Sequence, residues 1–226
     1  MKLHLSCLSF IGFSIFTISA QIPEQSTCTP PANISFDYTM KVVGRFLGLG
    51  AADTMHLNFE YYMKQGSKNM AVITPVRFMK TTSIMNFEDS TMVSLFDMVI
   101  EGDTSRTGMC TKIDPTQKIS STFAFNELLD TSLYYQLKPT QEKSIIMGYE
   151  CQKYAAENKT GKMEVWVTTS ADLPEKINLI ETKLNTISGA ALRFFYSSKN
   201  EKKLLDFQIE DIKIEKSVIS TIGYTF

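Results

Sequence analysis

Alternation with a period of two recurs along this chain and constrains it more tightly than any other pattern. Ile34, Phe36, Tyr38, Met40 and Val42 interleave with Ser35, Asp37, Thr39 and Lys41, the signature of a strand with one buried and one wet face. After a break at Gly48 and Gly50, Met55, Leu57, Phe59, Tyr61 and Met63 repeat the pattern against Thr54, His56, Asn58 and Glu60, which turns His56 to the wet face. Further strands are expected over 70–74, up to Pro75, and over 82–87 and 92–98, the last two joined as a hairpin through Glu88-Asp89-Ser90. Gly102 to Gly108 is expected to be a polar loop, and 123–137, with Phe125, Leu128, Leu129, Leu133 and Leu137 near helical spacing, a helix. Strands resume over 149–155 and 162–169; Asp172 and Pro174 then open a helix to about Asn185. Strands over 190–198, 204–215 and 217–226 close the chain, with a bulge near Glu210-Asp211 where the apolar parity shifts. About ten strands and two helices joined by short turns describe an antiparallel meander without βαβ crossovers.

Residues 1–20 have the build of a secretory signal peptide: Lys2, an apolar run from Leu8 to Ile18, then Ser19-Ala20-Gln21. A flexible Pro/Ser/Thr/Gln lead is expected over 21–33 and one β-rich domain over 34–226. Without Lys2, 22 basic residues face 24 acidic ones, a balance with no long-range pull on nucleic acid or an anionic membrane. No later segment approaches the roughly 18 apolar residues of a membrane span. Three cysteines follow the leader, Cys28, Cys110 and Cys151, which permits at most one internal bridge. Cys110 with Cys151 is the expected pair, because Cys28 lies in the Thr/Pro-rich lead; three unpaired thiols are the alternative.

The segment Gly148-Tyr149-Glu150-Cys151-Gln152-Lys153-Tyr154, followed after a polar loop by Glu164-Val165-Trp166-Val167-Thr168, resembles a pattern of exported bacterial domains that are themselves similar to the periplasmic lipoprotein-localisation carriers, the LolA/LolB-like superfamily. The tail, Phe207-Gln208-Ile209-Glu210-Asp211-Ile212 and then Ile222-Gly223-Tyr224, is similar to the family's closing strands. The resemblance runs from about Ile34 onward. It implies a mainly β fold, an unclosed and strongly curved antiparallel half-barrel with a few covering helices, exported to a bacterial periplasm or, as the alternative, to the cell exterior. The family's ligand-lining positions have no fixed motif, so the resemblance assigns no residue a role.

No catalytic set emerges from the residues. A nucleophilic enzyme needs a base, and the only histidine after the leader, His56, has Met55 and Leu57 beside it. The pairs Glu88-Asp89 and Glu210-Asp211 point to opposite faces of an extended chain and read as a turn and a bulge. The cysteine and histidine spacings match no zinc pattern, and no Gly-rich phosphate loop exists, so neither metal nor cofactor is expected. The sequons at Asn33 and Asn158 matter only in a eukaryote. Methionine is the compositional excess, twelve in all, and its flexible thioether suits either an ordinary core or a cavity for apolar ligands. The cavity candidates are Phe36, Tyr38, Met40, Met55, Leu57, Phe59, Met163 and Val165. The sequence therefore points to a non-enzymatic envelope protein that holds a lipid or acyl chain. The alternative is an envelope interaction module that docks a protein partner through a sheet edge or Trp166.

Overall fold

A computed structural model describes residues 28–47, 54–67, 69–76, 79–86, 88–100, 102–112, 129–173, 187–200 and 202–226. The signal peptide expected over 1–20 lies outside them, as do 113–128 and 174–186, which hold the start of the first expected helix and nearly all of the second. Thirteen strands are described: β1 (Asn33–Phe36), β2 (Tyr38–Leu47), β3 (Met55–Met63), β4 (Met70–Val76), β5 (Met79–Asn86), β6 (Thr91–Ile100), β7 (Asp103–Lys112), β8 (Lys138–Ile146), β9 (Tyr149–Glu157), β10 (Gly161–Thr168), β11 (Ala190–Ser198), β12 (Leu204–Lys213) and β13 (Ser217–Ser220). Eleven form one curved, unclosed antiparallel sheet in the order β7-β6-β5-β4-β3-β2-β12-β11-β10-β9-β8, while β1 and β13 pair as a separate ribbon. The helix expected over 123–137 is, where described, a 3-10 helix at Thr131–Gln136. No helix among the described residues is long and apolar enough to cross a membrane.

Two expectations need correction. Gly102–Gly108 is no loop, because β7 runs through it from Asp103. As the outermost strand it is wet on both faces for most of its length, so Thr104, Ser105, Arg106 and Thr107 never acquire the alternation that marks a half-buried strand. The single strand read from Ile34 to Val42 is two. The Asp37 amide donates to the Met63 carbonyl (2.9 Å) and its carboxylate accepts from the Gln65 amide (2.8 Å). The chain changes sheets at that point. The bulge expected near Glu210-Asp211 is present, as a register shift between Ile209 and Asp211 against β2.

The change of sheet at Asp37 divides the buried side chains between two cores. The inner face of the large sheet carries the main core, with Met40, Phe46, Met163, Leu192, Phe194, Leu205 and Ile209 almost wholly buried and Leu133 of the 3-10 helix packed among them. On the outer face of β4–β6 the ribbon covers a second core of Ile34, Phe36, Ala71, Ile84, Val93 and Leu95. Gly44 has a packing role in the main core: a Cβ there would lie 2.2 Å from the Phe207 ring, so only glycine lets that ring cross β2 to reach Phe59, 6.2 Å away centroid to centroid.

Asp130 ties the 3-10 helix to the β9–β10 turn. Its carboxylate accepts from Ser132 N (3.0 Å), Ser132 Oγ (2.7 Å), Asn158 Nδ2 (2.9 Å) and the Thr160 hydroxyl. Bonds from Thr160, then Asn158 and Ser132, hold its carboxyl well below the usual carboxylate range.

Candidate functional site at the seam of the sheet

The sheet is weakest between β3 and β4. Their ladder runs only from Glu60↔Ile73 to Met63↔Met70, whereas β2 follows β3 to Phe46↔Met55 and β4 follows β5 to Val76↔Met79. Past Ile73, among the described residues, the two strands are each paired on one side only. Pro75 sits in this stretch, and a residue with no amide proton belongs where a ladder has stopped. The stop leaves Met55 and Leu57 of β3 half-buried against the main core. On the other lip, Thr74 is 7% exposed and its Oγ1 has no hydrogen-bond partner among the described residues. An orphaned buried hydroxyl costs about 1–3 kcal/mol, so the split combines half-covered apolar side chains with an unmet polar group. The Tyr134 hydroxyl on the 3-10 helix, buried in the main core, likewise has no partner among the described residues; burial raises its pKa.

The eight cavity candidates separate into three groups. Tyr38, Met40, Phe59, Met163 and Val165 are buried in the main core and packed against their neighbours. Phe36 is not with them: it lies in the second core, against Tyr62 at 5.9 Å, because the chain changes sheets one residue later. Only Met55 and Leu57 border the split. Thr74 was not among the candidates, and the Thr-Pro sequence within an otherwise apolar run was the signal available for it.

The expected Cys110–Cys151 bridge is also corrected. Cys110 pairs with Cys28, their Cα atoms 5.3 Å apart, and Cys151 is a buried free thiol whose pKa burial raises. The lead is fixed from Cys28 onward: the Pro31 carbonyl accepts from Thr221 Oγ1 (2.8 Å) and the Ala32 carbonyl from Thr221 N (3.0 Å). These bonds seat the lead beside β13, and the bridge anchors it to β7.

The outer face of the other half of the sheet carries a network centred on Trp166. Lys153 Nζ lies 5.3 Å and Arg193 Cζ 4.9 Å from its ring centroid. Lys153 pairs with Glu142 (2.9 Å) and Glu164 (3.0 Å), Arg193 with Asp206 (3.1 Å), and Arg45 with the same Asp206. Burial opposes the ionised form of Glu164, but bonds from Lys162 and Lys153 outweigh it and lower its pKa; the carboxylates likewise outweigh burial at Lys153 and raise its pKa. The network stitches β2, β12, β11, β10, β9 and β8 together. Beside it is a shallow depression of about 440 Å³ lined by Arg45, His56, Asn58, Arg193, Gln208 and Glu210, among others. His56 stands exposed there, in register with Arg45.

No protein-family model matches the sequence, and no curated protein sequence does. Solved structures overlap it loosely. PNGF-II shares 14% identity at a TM-score of 0.36 over 83% of this chain, which spans about 30% of that protein's length. A LolA superfamily protein from Nitrosomonas europaea shares 10% at 0.32, over 80% of this chain and 86% of that one. A putative outer membrane lipoprotein-sorting protein domain from Vibrio parahaemolyticus shares 10% at 0.25, over 84% and 87%. The overlapping structures thus include the superfamily that the sequence motifs resemble. Overlaps this loose carry no argument about ligand or activity.

Proposed function

We propose that this is an exported, non-enzymatic envelope protein of the lipid-carrier type, which holds a lipid or acyl chain at the split between β3 and β4. The observation that carries this reading is the half-buried pair Met55 and Leu57 facing a lip whose buried Thr74 hydroxyl has no partner among the described residues. An apolar chain would complete the burial of the first, and a polar headgroup atom would satisfy the second. The apolar leader over 1–20 and the Cys28–Cys110 bridge support an oxidising compartment, the periplasm for a bacterial protein. The test is native mass spectrometry of protein purified from its own envelope, with lipid extraction in parallel. The expected result is a co-purifying lipid or acylated species that is lost in Leu57→Arg while circular dichroism shows the fold retained. A folded wild-type protein with no bound lipid overturns the proposal.

One observation favours a docking role for the outer face: tryptophan and arginine, residues enriched in binding hot spots, stand together at Trp166 and Arg193. Pull-down from envelope extract with wild type and Trp166→Ala tests it; equal recovery of every partner removes the reading.

A further inference from the structure

Four consecutive strands place a methionine at one level of one face. Met63 of β3 is in register with Met70 of β4, Met70 with Met85 of β5, and Met85 with Met92 of β6. We propose that this row is a binding site for a soft monovalent cation, Cu(I), held by thioether sulfurs. The proposal goes beyond the lipid reading and stands without it: the row is at the turn end of the strands, six residues along β3 from Leu57, or about 20 Å at the rise of a strand.

Register brings the donors together. Residues directly opposite on adjacent antiparallel strands have Cβ atoms about 4.5–5.5 Å apart, and the three rotatable bonds of methionine let the outer two of any three neighbours lean toward the middle one. Met85, at 4% exposure, is the buried centre, and Met63, Met70 and Met92 are half-buried, which leaves a path from solvent to the sulfurs.

The chemistry of the surroundings selects the ion. Tyr38 and Thr111 end the row, and the next level of the same face is Tyr61, Val72, Ser83 and Ser94. No ionised group stands at either level. Neutral sulfurs cannot offset two charges in a poorly solvated place, and soft thioethers prefer Cu(I) to hard or borderline ions. Thiolates do not compete: Cys28 and Cys110 are bonded to each other, and Cys151 is buried in the main core. Among the described residues, no group of three or more His, Cys, Asp or Glu side chains gathers to offer another metal site. Binding involves no electron transfer, and the ion keeps its charge.

The full leader-free chain is titrated anaerobically with Cu(I) against a chromogenic Cu(I) chelator, and native mass spectrometry with Ag(I) gives the stoichiometry. Wild type is expected to withdraw one Cu(I) per chain and to show a sulfur-only shell by X-ray absorption. Leucine is nearly isosteric with methionine, so Met70→Leu/Met85→Leu/Met92→Leu should keep the fold and weaken Cu(I) binding about tenfold or more; the single Met85→Leu serves if the triple variant is unstable. Met98→Leu, away from the row, should bind as wild type does. No withdrawal of Cu(I), equal withdrawal by the row variants, a nitrogen or oxygen shell, or equally tight Zn(II) binding overturns the proposal.

Discussion

On the inner face of β10–β12 the side chains close on one another: Met163, Val165, Leu192, Phe194 and Leu205 are all at or below 1% exposure. Toward the other edge, on the same face of β3–β7, Met63, Met70, Met92 and Met98 are half-buried and Met109 is 56% exposed. Both halves are antiparallel strands of similar apolar content, and methionine serves in both. One half is thus filled by its own side chains, and the other presents side chains with contacts still to make. A packed face contributes stability, whereas an incompletely covered one keeps apolar area in reserve for something that binds.

Truncation in the closed part and at the lip of the seam gives the sharpest test of this contrast. Phe194→Ala is expected to cost about 3–5 kcal/mol, the range for a fully buried aromatic side chain. Leu57→Ala, at a half-covered position, should cost about 1 kcal/mol. Urea unfolding of both variants checks this; equal losses would mean that the open half is as tightly packed as the other.

The bridge offers a second test, because it is anchored in the open half. Cys28→Ser/Cys110→Ser should lower stability by about 2–4 kcal/mol. Hydrogen exchange should rise in β1, β13 and β7 and stay unchanged in β10–β12. Thiol titration of the denatured, unreduced, leader-free protein should find one reactive group, Cys151; three would show that the bridge does not form.

The smallest effect belongs to the packed half. Asp130 has a folded-state pKa below its unfolded value, so its contribution is present above the unfolded pKa and is lost as the pH falls through the carboxylate range. Asp130→Asn should flatten that acid limb, and Asp130→Ala should cost about 1 kcal/mol at neutral pH through the lost cap. An acid limb unchanged in Asp130→Asn would show that the carboxylate is not linked to folding.

Much of this contrast was legible in residue order, and its limits are instructive. Alternation over Met55 to Met63 fixed which side chains share a face, and the parity change after Ile209 announced the bulge. Phe36 and Tyr38 read as one face because parity carries through Asp37 unbroken, yet they join different cores, since the hydrogen bonds that turn the chain there are made with Met63 and Gln65, distant in sequence. Strand β7 carries no such signal, because an edge strand that is wet on both faces needs no apolar period. Thr74 and Pro75 were visible as an interruption, yet only the loss of partners on β3 made the interruption a split in the sheet.

Local chemistry thus determined what the chain could decide residue by residue: strands of period two, turns at glycine and asparagine, and a balance of charges. The tertiary structure decided what depends on meeting across long separations. It joined Cys28 to Cys110 over 82 residues, brought β12 beside β2, and stopped the β3–β4 ladder after Ile73. Side-chain direction is set by the backbone of one strand, but partnership and coverage are set by which strands the whole chain brings together.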